Sequence, residues 1–444
     1  MMEIVLAADD AAALTTRLLE RDVEAAAVLL AGSHRRTDGT ERLLVRETIH
    51  AEESDYARRG HLEAELTPDF VARVTKRARR DGFSMVFAHS HPGAIPPEFS
   101  AADGAGERAL AGFLAHRHPE RPHAALVVSA GGWNARHLGE NGEARIIALG
   151  SERMVVHDPR IEAAEVAATF DRQVRAFGPA GQRALSGLHV GVVGLGGTGS
   201  IVVEQLAQLG VLAFTLVDAD TLETTNLNRV AGATPRDVGT AKVEIAQRLI
   251  HRAQPLAKVR DVRGDVMRAS VAKDLRDVDV IFGCTDSHGS RAVLQQLAYQ
   301  YLIPCIDMGT TIVVAEGVVT HVYGRVQLLA PGHACLTCGG LLDSNEIRRD
   351  MMNAFERQAD PYVQGARTPA PAVMSLNGMV SSLAVTMLLS LAARVPMKGR
   401  HVLLNAIAPS LRTVRPAQNP VCFICSRDGA LARGDAWPLF ARQD

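Results

Sequence analysis

Cysteine is missing from the first 283 of the 444 residues, and net charge is almost missing from the whole chain: 48 basic side chains face 49 acidic ones, a formal charge of −1. The first absence excludes a disulfide-stapled secreted scaffold, which would spread its cysteines through a much shorter chain. The second removes the global excess that would hold nucleic acid or an anionic membrane, so neither is expected as a partner. A basic, cleavable leader is absent too. MMEIVLAADDAAALTTRLLERD carries acidic residues around its short apolar runs, and a cytoplasmic location is expected. No apolar run reaches membrane length unbroken: Ala370 to Ala393 is uncharged but interrupted by Pro371, Ser375, Asn377, Gly378, Ser381, Ser382 and Ser390. It reads as a buried helix in the core of a larger domain. There is no internal repeat, and 47% apolar residues are ample for two or three packed cores.

Along the chain the pattern changes once. Residues 1–150 mix helical and strand signals without a repeated strand–loop–helix unit. Helical spacing runs from Ala11 to Glu20, strands are read at Ala25 to Ala31, Leu43 to Val45, Met85 to Ala88, Ala124 to Val128 and Asn134 to Leu138, and helices at Leu66 to Arg80 and Glu107 to His118. The charged stretch 151–169 reads as a linker entering a helix, with a Pro/Ala patch further on at 369–372. From residue 170 to 444 the pattern is α/β, Rossmann-like and mostly parallel. Short apolar strands at Leu188 to Val193, Ala213 to Val217, Val278 to Phe282 and Ile303 to Ile306 deliver Asp218, Asp286 and Asp307 at their carboxyl ends, where open sheets bind ligands.

Between the first of those strands and its helix, GVVGLGGTGS supplies Gly194, Gly196, Gly197 and Gly199. Glycines let the backbone turn sharply and approach a phosphate, and the exposed amides of a helix start favour anions. A tight turn with no ligand remains an alternative reading. Even with a nucleotide, Asp218 or Asp220 would also suit the ribose of NAD. The continuation weighs against hydride transfer: Asn226, Arg229, Lys242 and Asp286 follow, cations to meet developing phosphate charge and a carboxylate for Mg²⁺. Taken singly, Arg229 and Lys242 are also ordinary surface charges, and Asp286 an Asx turn or helix cap.

With FDRQVRAFGPAGQ, GLGGTGS, DADTLETTNLNR, GTAKVE, CTD and two Cys-x-x-Cys pairs in that order, the chain from about Phe170 onward resembles the ThiF/MoeB/HesA-type adenylyltransferases, relatives of ubiquitin-activating enzymes. The resemblance implies ATP phosphates on the Gly194 to Gly199 loop, the ribose on Asp218 and Mg²⁺ on Asp286. It places Asn226, Arg229 and Lys242 around the triphosphate, with Arg172 reaching the partner's nucleotide across a homodimer. The implied reaction adenylates the C-terminal carboxylate of a ubiquitin-like or sulfur-carrier protein that ends in glycine.

Cys335, Cys338, Cys422 and Cys425 form two close pairs that suit a structural tetrahedral Zn²⁺; two redox dithiols or buried unliganded thiols are the alternatives. Gly339 to Val421 contains no cysteine that could accept an activated carrier, and Cys284 and Cys305 fall at strand ends. Adenylation without an enzyme thioester is therefore expected, with Cys284, near Asp286, as the one exception to test.

AHSHPGAIPPEFSAAD puts His89 and His91 after a strand, then Ser100 and Asp103. Two histidines and a carboxylate leave a fourth zinc position for water; a capped helix with Ser100 at its start explains the same residues without metal. The segment resembles the JAMM/MPN metallopeptidase motif of deubiquitinating isopeptidases. That resemblance implies Zn²⁺ on His89, His91 and Asp103, Glu24 as general base and Ser100 as oxyanion donor, within a domain of residues 1–150. The combined expectation is carrier adenylation coupled to carrier trimming or deconjugation. The rivals are a carrier-binding scaffold, separable by pyrophosphate release, and a NAD-dependent oxidoreductase, separable by the nucleotide bound.

Overall fold

Strands that are apolar on both faces need cover on both sides. In the computed structural model, which describes residues 1–158, 165–353, 356 and 370–444, they find it in two α/β units. The first unit comprises Met1–Ala163, Gln300–Leu302 and Ser426–Pro438. Its elements are β1 (Met2–Ala7), α1 (Ala8–Leu18), β2 (Ala26–Arg35), β3 (Glu41–His50), β4 (Tyr56–Arg59), β5 (Ala64–Leu66), α2 (Pro68–Asp81), β6 (Ser84–Ser90), α3 (Ala101–Arg117), β7 (Ala124–Ser129), β8 (Gly132–His137), β9 (Ala144–Leu149) and β10 (Arg153–His157). Eight strands form one mixed sheet in the order β10-β9-β1-β3-β2-β6-β7-β8, while β4 and β5 form a separate hairpin.

The period-2 alternation of β2 explains the layering. Ala27 and Leu29 pack with Leu14 and Leu18 of α1, whereas Val28 and Leu30 face Phe70 and Val74 of α2 and Leu114 of α3. Each such fully buried leucine, valine or phenylalanine contributes about 2 kcal/mol. Helix α2 begins where Thr67 accepts a hydrogen bond from Phe70 N–H and Pro68 takes the first turn; it ends at Gly82, whose φ of 71° suits a left-handed cap.

In the second unit the elements are α4 (Asp171–Ser186), β11 (His189–Val193), α5 (Gly199–Gln208), β12 (Ala213–Val217), α6 (Lys242–Ala253), β13 (Lys258–Val262), α7 (Ala269–Asp274), β14 (Val280–Gly283), α8 (His288–Gln300), β15 (Cys305–Ala315), β16 (Val318–Leu329), α9 (Ser344–Met351), α10 (Met374–Ala392), β17 (His401–Asn405) and β18 (Ser410–Thr413). Their sheet runs β13-β12-β11-β14-β15-β16-β17-β18. Pairing is parallel from β13 through β15 and antiparallel from β15 through β18. The expectation of a mostly parallel sheet is thus corrected to a mixed one. The physical reason is a tight β15–β16 hairpin at Glu316 and Gly317, both with positive φ.

Helix α10 is long and apolar enough to cross a membrane by length and composition. Its Val380, Ala384 and Leu388 pack with Val202 and Leu206 of α5 and with Val326 and Leu328 of β16. Other differences from the sequence reading concern boundaries. Arg153–His157, assigned to the linker, pairs with β9 as β10, and 426–438 returns to the first unit, where Gly434 bridges to Ser33. Residues 159–164 of that linker and Pro369 of the Pro/Ala patch lie outside the described residues.

Candidate metal centre and nucleotide site

Strand β6 carries His89 and ends at Ser90, with His91 immediately beyond. The start of α3 supplies the third donor. Ser100 caps this helix: its side chain accepts from Asp103 N–H, and the Asp103 carboxylate accepts from Ser100 N–H at 2.6 Å. The helix-cap reading of Ser100 and Asp103 therefore holds in the structure, and the same cap directs Asp103 at the histidines. His89 Nε2 lies 3.1 Å from His91 Nε2, and the Asp103 carboxylate oxygens lie 3.3 Å from each Nε2. Zinc bonds of about 2.0–2.1 Å in a tetrahedron separate donors by about 3.3 Å; the two 3.3 Å contacts are made by different oxygens, Oδ1 to His89 and Oδ2 to His91, and one donor atom from each of the three residues lies within 4.8 Å of the others. Glu24, 5% exposed, brings Oε1 to 3.8 Å from His91 Nε2.

The electrostatics follow the geometry. Burial works against ionisation of Asp103, yet hydrogen bonds from His89 and His91 hold its carboxyl well below the usual range. The hydrogen bond to Asp103 raises His91. Glu24 is raised chiefly by burial, with the two histidines opposing.

In the second unit, the strand order reverses between β11 and β14, the crevice where doubly wound sheets bind ligands. The glycine loop follows β11, Asp218 follows β12 and Asp286 follows β14. Gly194 has φ of 87°, and a Cβ on Gly199 would lie 1.8 Å from Gly194 O. Helix α5 starts without a side-chain cap, which leaves its amino end for an anion. Asp218 accepts from Leu195 N–H at 2.6 Å and from Asp220 N–H at 2.8 Å, its carboxyl raised by burial although Lys242 opposes this.

Lys242 Nζ pairs with Asp220 at 2.7 Å. Arg229 bonds Thr225 O at 2.6 Å, and its Cδ would meet a Cβ on Gly197 at 3.3 Å. Asn226 is buried in the short turn it caps. A cap role for Asp286 is excluded, because Ser287 Oγ accepts Ser290 N–H there; Asp286 is exposed. Gly196 borders open space. Arg172 stands exposed on the first turn of α4, and no side-chain partner for it is found among the described residues.

Sequence reasoning missed Asn377. Its side chain, 3% exposed on α10, crowds Gly197 so closely that a Cβ there would lie 2.2 Å from Nδ2. The signal was a lone carboxamide in an apolar helix, which alone says only that the helix is interrupted.

The four paired cysteines have Sγ atoms all within 4.8 Å of one another. Cys335–Cys422 and Cys338–Cys425 are each 3.6 Å apart; Zn–S bonds of about 2.3 Å imply about 3.8 Å. Cys305 is fully buried. Cys284 sits 3.9 Å from Met308 Sδ and burial pushes its thiol far up, so it is a poor nucleophile at neutral pH.

Comparison with known proteins concerns the second unit. A model of the ThiF family matches residues 170–424. Molybdopterin-synthase adenylyltransferase of Escherichia coli is 28% identical over 58% of this chain and 96% of its own length. SAMP-activating enzyme E1 of Haloferax volcanii is 26% identical over 57% and 85%, and the sulfur carrier protein adenylyltransferase of Thermus thermophilus 25% identical over 56% and 86%.

Proposed function

The chain belongs to the ThiF family, and from that premise we propose that it adenylates the C-terminal carboxylate of a ubiquitin-like or sulfur-carrier protein with ATP. The observation that carries this reading is the convergence of the glycine loop, Asp218 and Asp286 at the ends of three adjacent parallel strands. The carrier carboxylate oxygen attacks the α-phosphorus; the bond to the bridging oxygen breaks, and pyrophosphate leaves with that electron pair. Loop amides hold phosphate oxygens, Asp218 binds the ribose, and Arg229 and Lys242 oppose the charge that builds on the phosphates. Asn226 supports the turn that carries Arg229. Asp286 is the Mg²⁺ carboxylate. Arg172, with no side-chain partner among the described residues, completes the site of a second copy in a homodimer. With four thiols paired, one fully buried and Cys284 raised, the acyl adenylate passes to an external sulfur, amine or protein acceptor. Carrier-dependent, Mg²⁺-dependent ATP–pyrophosphate exchange tests the reading. No exchange with any carrier ending in Gly-Gly would leave a carrier-binding scaffold.

A second activity is favoured by the 3.1–3.3 Å convergence of His89, His91 and Asp103. These residues would hold Zn²⁺, which when bound supplies Lewis acidity toward water and a scissile carbonyl. Glu24 takes the water's proton and gives it to the leaving amine. Ser100 Oγ, which accepts Asp103 N–H, still has its hydroxyl proton to donate to the oxyanion. The bond cleaved is the peptide or isopeptide bond after the carrier's terminal glycine. Zinc-dependent cleavage of such a conjugate, abolished by Glu24→Gln, tests it.

A further inference from the structure

The ladder that holds β2 stops short of the residue assigned as base. β2 begins at Ala26, opposite His89 of β6, so Glu24 lies two positions beyond the strand. Glu24 itself is buried and Ala25 packs in the core of the first unit. Ala25 and Ala26 border an open cavity whose other walls include Arg17, His50 and Glu52. Beside that cavity, a segment outside the strand needs further ties to keep its carboxylate in one place.

Backbone pairing continues as far as Ala25, whose carbonyl accepts from Ser90 N–H at 2.9 Å, and further hydrogen bonds reach Glu24. Glu24 N–H donates to Gly60 O at 2.8 Å, and Glu24 O accepts from Arg59 Nε at 2.9 Å. Ala25 N–H donates to Ser90 Oγ at 2.9 Å, and Ala26 N–H to Tyr56 Oη at 2.7 Å. Arg59 is itself fixed: its guanidinium lies 4.7 Å from the Tyr56 ring centroid, and Nη1 donates to Glu53 at 2.8 Å. Three successive residues are thus tied by the Tyr56 and Arg59 side chains of β4, by the Gly60 carbonyl just beyond it and by Ser90, the one residue between the two histidines.

We propose that Arg59, Tyr56 and Ser90 are positioning residues that clamp the backbone of residues 24–26 and thereby set the Glu24 carboxylate against the His89/His91/Asp103 donors. This rests on the hydrolytic reading above. A general base works only within hydrogen-bond reach of the proton it takes, and a displacement of about 1 Å can cost about 100-fold in rate. Arg59 is the most informative of the three because it touches Glu24 only at the backbone carbonyl. Its removal leaves the carboxylate and the metal donors chemically intact. Lysine at the same place keeps one donor.

The test uses the full chain with its zinc and a branched peptide carrying Gly-Gly on a lysine Nε. Arg59→Met should keep zinc content and melting temperature at wild-type values, speed amide hydrogen exchange at residues 24–26 at least about tenfold, and lower kcat about 10- to 100-fold at unchanged KM. Arg59→Lys should recover part of both losses. Tyr56→Phe, which removes one hydroxyl and keeps the ring, should show the same pattern more weakly and serves if Arg59→Met does not fold. Unchanged exchange at 24–26 in both variants overturns the clamp. So does a kcat loss that comes only with loss of zinc. A wild-type protein that holds its zinc and cleaves nothing overturns the hydrolytic reading instead, while the exchange rates still decide whether Arg59 fixes the segment.

Discussion

His89, His91 and Asp103 of the first unit bring their donor atoms to 3.1–3.3 Å of one another, whereas in the second unit Asp286 and Arg172 stand exposed, with no side-chain partner found among the described residues. The contrast reflects what each site would receive. A small cation needs donors already assembled at bond-length spacing, since moving them afterwards costs ordering free energy. A polyanion is met by groups that are spread out and solvated, because bringing several charges together without it would be repulsive. Lys242 rests on Asp220 at 2.7 Å, a partner that a phosphate would replace on the proposed reading. The first site is written in distances, the second in the order of strands and charges.

The largest test of this contrast is metal content. The described residues contain two candidate metal clusters, so the chain should hold close to two zinc ions. His91→Ala should reduce that to one and abolish cleavage. Glu24→Gln should keep both ions and abolish cleavage as well, and neither variant should slow adenylation. A wild-type count near one, unchanged by His91→Ala, would refute the first site as a metal centre. Next comes the second site: Asp286→Ala should lower pyrophosphate exchange on the order of 100- to 1000-fold. Undiminished exchange removes Asp286 from the Mg²⁺ role.

How much of this was legible follows from where the information lies. His89, His91, Ser100 and Asp103 are within fifteen positions on one strand end and one helix start, so spacing sufficed to group them. Glu24 was found through resemblance, because local spacing does not link it to residue 89. The parallel half of the second sheet was visible as apolar runs ending in aspartates. Its antiparallel half was not, although Ala315-Glu316-Gly317-Val318 between β-rich stretches was a readable hairpin turn. β10 was missed because a short edge strand beside a charged segment resembles a linker, and β1, although internal between β9 and β3, because a short apolar run beside acidic residues resembles a tail. Asn377 could not be read at all: only the packing of α10 on the loop brings it to Gly197.

Damage should also stay within its unit. A Cβ on Gly199 would lie 1.8 Å from Gly194 O, a backbone atom that cannot swing away. Gly199→Ala should destabilise the second unit by about 2–3 kcal/mol and reduce adenylation, read as a lower urea midpoint for tryptic protection of that unit. The zinc of the histidine cluster should remain. Loss of both together would mean that the two units do not fold as separate bodies.

The smallest effect concerns acid. Each unit contains one histidine whose pKa burial lowers from 6.5 to about 4: His123 in the first and His401 in the second. The causes differ beyond burial. His123 Nδ1 lies 3.1 Å from Met85 N–H, a contact that protonation would break, while His401, 8% exposed, has both ring nitrogens without a hydrogen bond and Arg325 beside it. Because the folded pKa lies below the unfolded one, the unfolded chain binds more protons between pH 6.5 and 4. The stability is therefore complete above pH 6.5 and is lost as pH falls toward 4, by at most about 2 kcal/mol per histidine at pH 5. Replacing His401 by leucine removes two unpaired buried nitrogens, so His401→Leu should be neutral or stabilising at pH 7. It should also flatten the acid limb of the second unit, whereas His123→Leu flattens that of the first but strands Met85 N–H and costs about 1 kcal/mol at pH 7. Urea unfolding at pH 7, 6 and 5 reads both. An acid limb for the second unit that is unchanged in His401→Leu would show that His401 is not the group that binds the extra proton.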